Sequence, residues 1–148
     1  MKKVVFLFFD TYIEIIKRAI GSRLFQITWA LVDGKKQNVL KGGRISCATF
    51  VSSILILFGL IKERHATVAG TIKDMGTSGW KIITKPKIGC VLHWEKNGNG
   101  HEHVGFYIGN NKAISTSTEK LVPAKHHWKY GRDRRKIIGI YWHEKLDQ

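Results

Sequence analysis

The sequence predicts an α+β domain in which helices come first and an antiparallel sheet follows. Apolar residues recur at helical spacing through the first sixty positions, whereas from Cys90 onward they alternate with period two. The turn signals "NGNG" and "NN" separate these alternating segments, so consecutive strands reverse direction.

Each element follows from its local pattern. Val5, Phe8, Phe9, Tyr12, Ile13, Ile16, Ile20, Leu24 and Ile27 share one helical face, which predicts one or two amphipathic helices within 3–32, broken near Gly21. "DGKKQNVLKGGR" has no period and reads as a loop. Cys47, Phe50, Val51, Ile54, Leu55 and Phe58 then fall at spacings of three, four, seven, eight and eleven, a single helical stripe. Ser46 stands where an N-cap is expected, and Gly59 near the helix end. Between 63 and 89, Gly70, Gly76, Gly79 and Pro86 allow only a short helix or an irregular connection. "CVLHWEK", "HEHVGFYIG" and "KAISTST" read as three strands, the middle one with Val104, Phe106 and Ile108 on one face and His103, Gly105 and Tyr107 on the other. "KHHWKYGRDRRK" reads as a basic loop and "IIGIYWHE" as the last strand.

The 148 residues suit one domain, 1–148, with a helical region over 1–41 and a core over 42–148. A hydrophobic fraction of 43% excludes a disordered chain. The formal charge of +14 favours anionic partners such as nucleic acid, anionic lipid or wall polymers. Two cysteines, Cys47 and Cys90, are too few for a disulfide framework. The start "MKKVVFLFFD" resembles a signal peptide, but its apolar stretch of six residues ends at Asp10 without a small-residue cleavage site, so it is read as mature protein. No apolar run approaches the roughly 20 residues of a membrane-spanning helix.

Cys47 carries the chemical interest. A thiol attacks as its thiolate, and the free N–H groups at a helix start favour that anion and can later hold an oxyanion. His103 is the candidate base, on a strand face that a packed helix could bring toward Cys47. Buried cysteine is also ordinary core filler, and a strand histidine is commonly structural, so the residues taken singly leave both readings open.

Together, "ISCATFVS", "PKIGCVLHWE" and "HVGFYIGNNKAIS" resemble the NlpC/P60 family of papain-like cysteine peptidases over about residues 42–118. The resemblance implies a papain-like α+β core, Cys47 as nucleophile and His103 as base, and amide bonds of peptidoglycan stem peptides as the substrate. Acyltransferases and lipid-amide hydrolases are the alternative within the same fold. The chain departs from the family pattern in having Ser46 and Cys90 where Asp is usual, and Ser115 at the position that orients the histidine. Strand register bears on this third residue. A two-residue Asn110–Asn111 turn puts Thr116 and Thr118 on the face of His103, whereas a three-residue turn puts Ser115 and Ser117 there. His126 and His127 are further candidates, although exposure on a cationic loop is the simpler expectation.

Two rival readings remain. Cys90, His93, His101 and His103 could form a metal site, but strand alternation sends Cys90 and His93 to opposite faces. A non-enzymatic module could bind nucleic acid through Arg132, Arg134 and Arg135, with Trp128 and Tyr130 as stacking residues. Trp80, Trp94 and Trp142 are candidates either for core or for a substrate groove. The preferred expectation is a thiol hydrolase using Cys47, His103 and Ser115 and requiring no metal or organic cofactor.

Overall fold

In a computed structural model of the chain, residues 1–98, 100–132 and 134–148 are described. In chain order the elements are α1 (Phe8–Arg18), β1 (Trp29–Val32), β2 (Lys35–Asn38), α2 (Cys47–Leu57), α3 (Val68–Thr77), β3 (Trp80–Ile82), β4 (Val91–Trp94), β5 (His103–Gly109), β6 (Lys112–Thr116), β7 (Pro123–His127) and β8 (Ile137–His143). Strands β1 and β2 form a separate hairpin. The others form one six-stranded sheet in the order β3-β8-β4-β5-β6-β7, with antiparallel neighbours. The architecture is the expected α+β arrangement.

Helix α2 is apolar nearly all round, which suits a helix enclosed by other elements. It packs on the sheet face formed by Val91, Val104, Phe106 and Ile114, and α1 closes the same core with Tyr12, Ile13 and Ile16. Phe50 meets Phe106 and Phe25 edge to face, with ring centroids 5.5 and 5.1 Å apart. Each such fully buried large side chain contributes about 1.5–3 kcal/mol. Tyr12 donates its hydroxyl to the Gly89 carbonyl at 2.8 Å, so its burial leaves no unmet polar group. The opposite sheet face buries Cys90, Leu92, Trp94 and Ala113 beneath Trp128 and Tyr130.

Two segments differ from the sequence reading. The helical pattern over 3–32 ends at Arg18, and Trp29–Val32 instead pairs with Lys35–Asn38. Asp33 and Gly34 both take positive φ (50° and 75°), as a two-residue hairpin turn requires. This local turn preference prevails over a helical spacing that is sparse beyond Gly21. Part of the expected basic loop is β7, an edge strand beginning at Pro123, where a missing N–H is tolerated.

The turn after β5 combines the two registers considered for it. Asn110 and Asn111 both lie in the left-handed region, and Gly109 pairs with Lys112. Beyond them the register shifts, so that Tyr107 pairs with Ala113 and Phe106 with Ile114. The extra residue, Ile108, forms a bulge that puts Ser115 on the face of His103. Gly105 makes this approach feasible: a Cβ there would stand 2.7 Å from both the Ile114 carbonyl oxygen and the Ser115 Cβ. Gly105→Val should therefore lower stability by about 1–3 kcal/mol, read as a lower urea midpoint. An unchanged midpoint would contradict this close packing.

Asp74 in α3 anchors the chain between α2 and α3. Its buried carboxylate accepts the N–H groups of Lys62 (3.0 Å) and Glu63 (2.9 Å) and the Ser78 hydroxyl (2.9 Å), and it meets His65 Nε2 at 2.7 Å. Burial is the largest single influence on this group and acts upward. The hydrogen bonds from His65, Lys62, Glu63 and Ser78 together outweigh it and hold the carboxyl well below the usual range. The resulting stabilisation is fully present above the unfolded value of about 3.9 and is lost as pH falls through the lower folded value. Asp74→Asn should cost on the order of 2–3 kcal/mol at pH 7. Urea denaturation should show that deficit shrinking as pH falls below about 4, whereas a pH-independent deficit would point to lost packing instead.

Candidate active site

Cys47 reaches its position through a tight glycine turn. Gly42 and Gly43 have φ of 67° and 105°, and a Cβ on Gly43 would lie 2.6 Å from the Leu121 carbonyl oxygen. Ser46 occupies the expected N-cap position, but its hydroxyl donates backward to the Gly43 carbonyl at 2.9 Å and makes no cap bond. The first-turn N–H groups of Cys47 and Ala48 thus remain available to the sulfur, which the Val104 N–H also approaches from β5.

These donors and the positive Arg135 favour the thiolate, as expected of a helix start. Burial acts more strongly in the opposite direction and raises the thiol above its ordinary value. Cys47 is therefore a neutral thiol at neutral pH, which corrects the expectation of a lowered pKa. Burial likewise leads for His103, pushing it down to about 3, with the guanidinium of Arg135 and the His126 ring adding to the shift. The resting pair is neutral thiol and neutral imidazole.

Both side chains line one cavity of about 690 Å³, together with Lys41, Arg44, Lys96, Glu102 and Arg135. Helix α2 packs on the Val104 and Phe106 face of β5, the reverse of the face expected from the position of His103. Cys47 instead meets the beginning of β5, where His103 and Val104 are neighbours. Among the described residues no hydrogen bond joins Cys47 to His103, and such contacts commonly tighten when substrate binds.

The far side of His103 is closely held. Its Nε2 lies 2.9 Å from Ser115 Oγ, which in turn lies 2.7 Å from His126 Nε2 and 3.1 Å from the Tyr130 hydroxyl. His126 stacks on Tyr130 with centroids 4.2 Å apart and is half-buried on β7, not exposed on a loop. The His127 ring accepts the Lys129 N–H. Thr116 is buried, and its hydroxyl has no partner among the described residues.

Arg135 is the group that sequence reasoning missed as part of the site. Its Nε donates to the Glu95 carbonyl at 3.0 Å and its Nη2 to the His101 carbonyl at 2.6 Å, so it clamps the β4–β5 connection beside Cys47. Nothing in "RDRRK" singles it out from its neighbours.

The rival constellations come apart. Cys90 packs with Leu92 and Trp94 on the sheet face away from α2, its thiol pushed up to about 12 chiefly by burial. His93 faces Glu102 and Tyr141. Among the described residues no group of three or more His, Cys, Asp and Glu side chains is arranged to hold a metal ion. Trp128 packs against Tyr107 and Tyr130 against Trp94, so the proposed stacking residues are engaged within the fold. Trp80, Trp94 and Trp142 donate to the Leu60 carbonyl, the Trp128 carbonyl and Asp147, and none lines the cavity. No described helix is long and apolar enough to cross a membrane.

Cys47 thus opens a buried helix on an antiparallel sheet, and His103, held by Ser115, lines the same cavity. Residues 33–146 match the sequence profile of the NlpC/P60 family, and the chain belongs to that family. Members of that family are generally cysteine peptidases or amidases. The fold is also similar to that of NlpC2 from Trichomonas vaginalis, with a TM-score of 0.57 and 16% identity, covering 95% of this chain and 50% of that one. The chain therefore spans about half the length of that protein, and the likeness is one of fold. No curated protein sequence matches it.

The neutral resting pair has a measurable consequence. In a Cys90→Ser background, iodoacetamide modification of native Cys47 should accelerate roughly tenfold per pH unit up to about pH 9. A rate plateau extending down to about pH 6 would instead reveal a preformed thiolate. Arg135→Gln should slow the reaction throughout this range, because it removes a charge that favours the thiolate.

Proposed function

We propose that this protein is a thiol hydrolase that cleaves peptide or amide bonds in peptidoglycan stem peptides, with Cys47 as nucleophile, His103 as general base and Ser115 as the residue that orients His103. The observation that carries this reading is the shared cavity, lined both by Cys47 at the head of α2 and by a neutral His103 held through Nε2 by Ser115.

His103 Nδ1 takes the thiol proton as sulfur attacks the carbonyl carbon, so the C–S bond and the imidazolium form together. The carbonyl oxygen becomes an oxyanion beside the N–H groups of the first turn of α2 and the positive Arg135. As the tetrahedral species collapses, the C–N bond breaks and the amine departs with the proton from His103. A water molecule, deprotonated by His103, then attacks the thioester. The carboxylic acid leaves, and the proton returns to the sulfur.

Substrate class is supported by charge. Lys41, Arg44, Lys96 and Arg135 surround the cavity against Glu102, which favours substrates bearing carboxylates, as stem peptides do. The charge of +14 likewise suits an anionic wall polymer.

Purified protein incubated with peptidoglycan fragments should release peptides with new termini, detected by liquid chromatography and mass spectrometry. Cys47→Ala should abolish release, and His103→Ala should reduce it by about 10²–10⁴-fold. Persistence of cleavage in Cys47→Ala, or its absence across peptide and acyl-amide substrates, would overturn the proposal. Transfer of the acyl group to an added amine in place of water would assign the same residues to an acyltransferase.

A further inference from the structure

His126 stands outside the three residues given roles above, yet its surroundings fix its hydrogen positions. Its Nδ1 lies 2.8 Å from the His127 carbonyl oxygen, which can only accept, so Nδ1 carries a proton. In a neutral ring Nε2 is then a lone pair, and at 2.7 Å it must accept the Ser115 hydroxyl hydrogen. Ser115 has only one hydrogen. Its oxygen therefore accepts from both remaining neighbours, the Tyr130 hydroxyl at 3.1 Å and His103 Nε2 at 2.9 Å. His103 is thereby left with its proton on Nε2 and a lone pair on Nδ1.

Without His126 this outcome is undetermined. A serine hydroxyl rotates freely and can donate to His103 Nε2 as readily as accept from it. Donation would move the imidazole proton to Nδ1 and remove the base. We propose that His126, anchored by the His127 carbonyl and acting through the Ser115 hydroxyl, is a positioning residue that holds His103 in the Nε2–H tautomer needed to receive the Cys47 proton. No proton passes along the chain. When His103 becomes an imidazolium, its Nε2–H still donates to a hydroxyl oxygen whose own hydrogen is held by His126, which strengthens the acceptor. Tyr130 keeps the His126 ring flat against it, Ala113 pairs with His126 across the strands, and the other titratable groups facing the two rings are Arg135 at His103 and His127 and Lys112 at His126.

The inference rests on the reading of His103 as a base, and the experiment separates the two. Long-range proton–nitrogen NMR of the full-length protein, labelled with ¹⁵N-histidine, reports the tautomer of each ring without any substrate. At pH 7, His126 should be protonated on Nδ1 and His103 on Nε2. His126→Phe retains a flat ring against Tyr130 but has no acceptor, and His103 should shift toward a tautomer mixture. Ser115→Ala should give the same shift, an independent measurement if His126→Phe does not fold. In turnover, His126→Phe should lower kcat about ten- to hundredfold with KM changed less than about twofold. His126→Gln, whose Oε1 can occupy the place of Nε2, should restore most of the loss. A proton on His126 Nε2, or an unchanged His103 signal in folded His126→Phe, overturns the inference even if the enzyme is active. If the tautomers behave as stated but no amide or acyl substrate is cleaved, the hydrolase reading falls and the hydrogen-bond chain stands.

Discussion

The packing of α2 against β5 sets the position of every group at the site. Phe50 and Val51 of α2 share one buried cluster with Val104 and Phe106 of β5, which seats the head of α2 at the beginning of that strand. The Val104 N–H then points to the Cys47 sulfur, and His103 lies one residue away. Because side chains alternate along a strand, the residue next to Val104 turns toward the opposite face. That is where Ser115, His126 and Tyr130 are found. One strand thus serves the hydrophobic core with one set of residues and the polar chain with the other.

This arrangement has an electrostatic result. Tight packing removes water from both Cys47 and His103, and desolvation penalises charge on either. The helix start and Arg135 favour the thiolate without overcoming that penalty, so in the proposed mechanism charge separation is deferred until a substrate is attacked. A charge that forms only then is met by donors already in place, which is the condition under which fixed dipoles contribute most to a transition state. The high positive charge of the chain acts at longer range, on encounter with anionic material.

Much of the candidate site was legible in the order of the residues. A cysteine after a glycine turn and before an apolar stripe, followed by "HVGFYIGNNKAI", singles out Cys47 and His103 without knowledge of their distance. Ser115 was ambiguous because a shift of one residue in register exchanges faces, and the Ile108 bulge that decides the matter has no signature of its own. His126 was obscured by composition. Among the eight basic or histidine positions of residues 125–136, local pattern cannot show that Pro123–His127 is recruited to a sheet edge. Arg135 was hidden for the same reason, since its hydrogen bonds run to residues of the β4–β5 connection that are distant in sequence.

By itself the sequence determined the α+β class, the helix headed by Cys47, the strand headed by His103 and the turn joining it to the next strand. These depend on periodicity and turn chemistry, which act over a few neighbouring residues. Only the tertiary structure decided which hydroxyl meets His103, that a second histidine stands behind it, and that the thiol is neutral at rest. Those properties follow from long-range register and burial, where desolvation and hydrogen bonding between remote segments compete, and no local pattern encodes their balance.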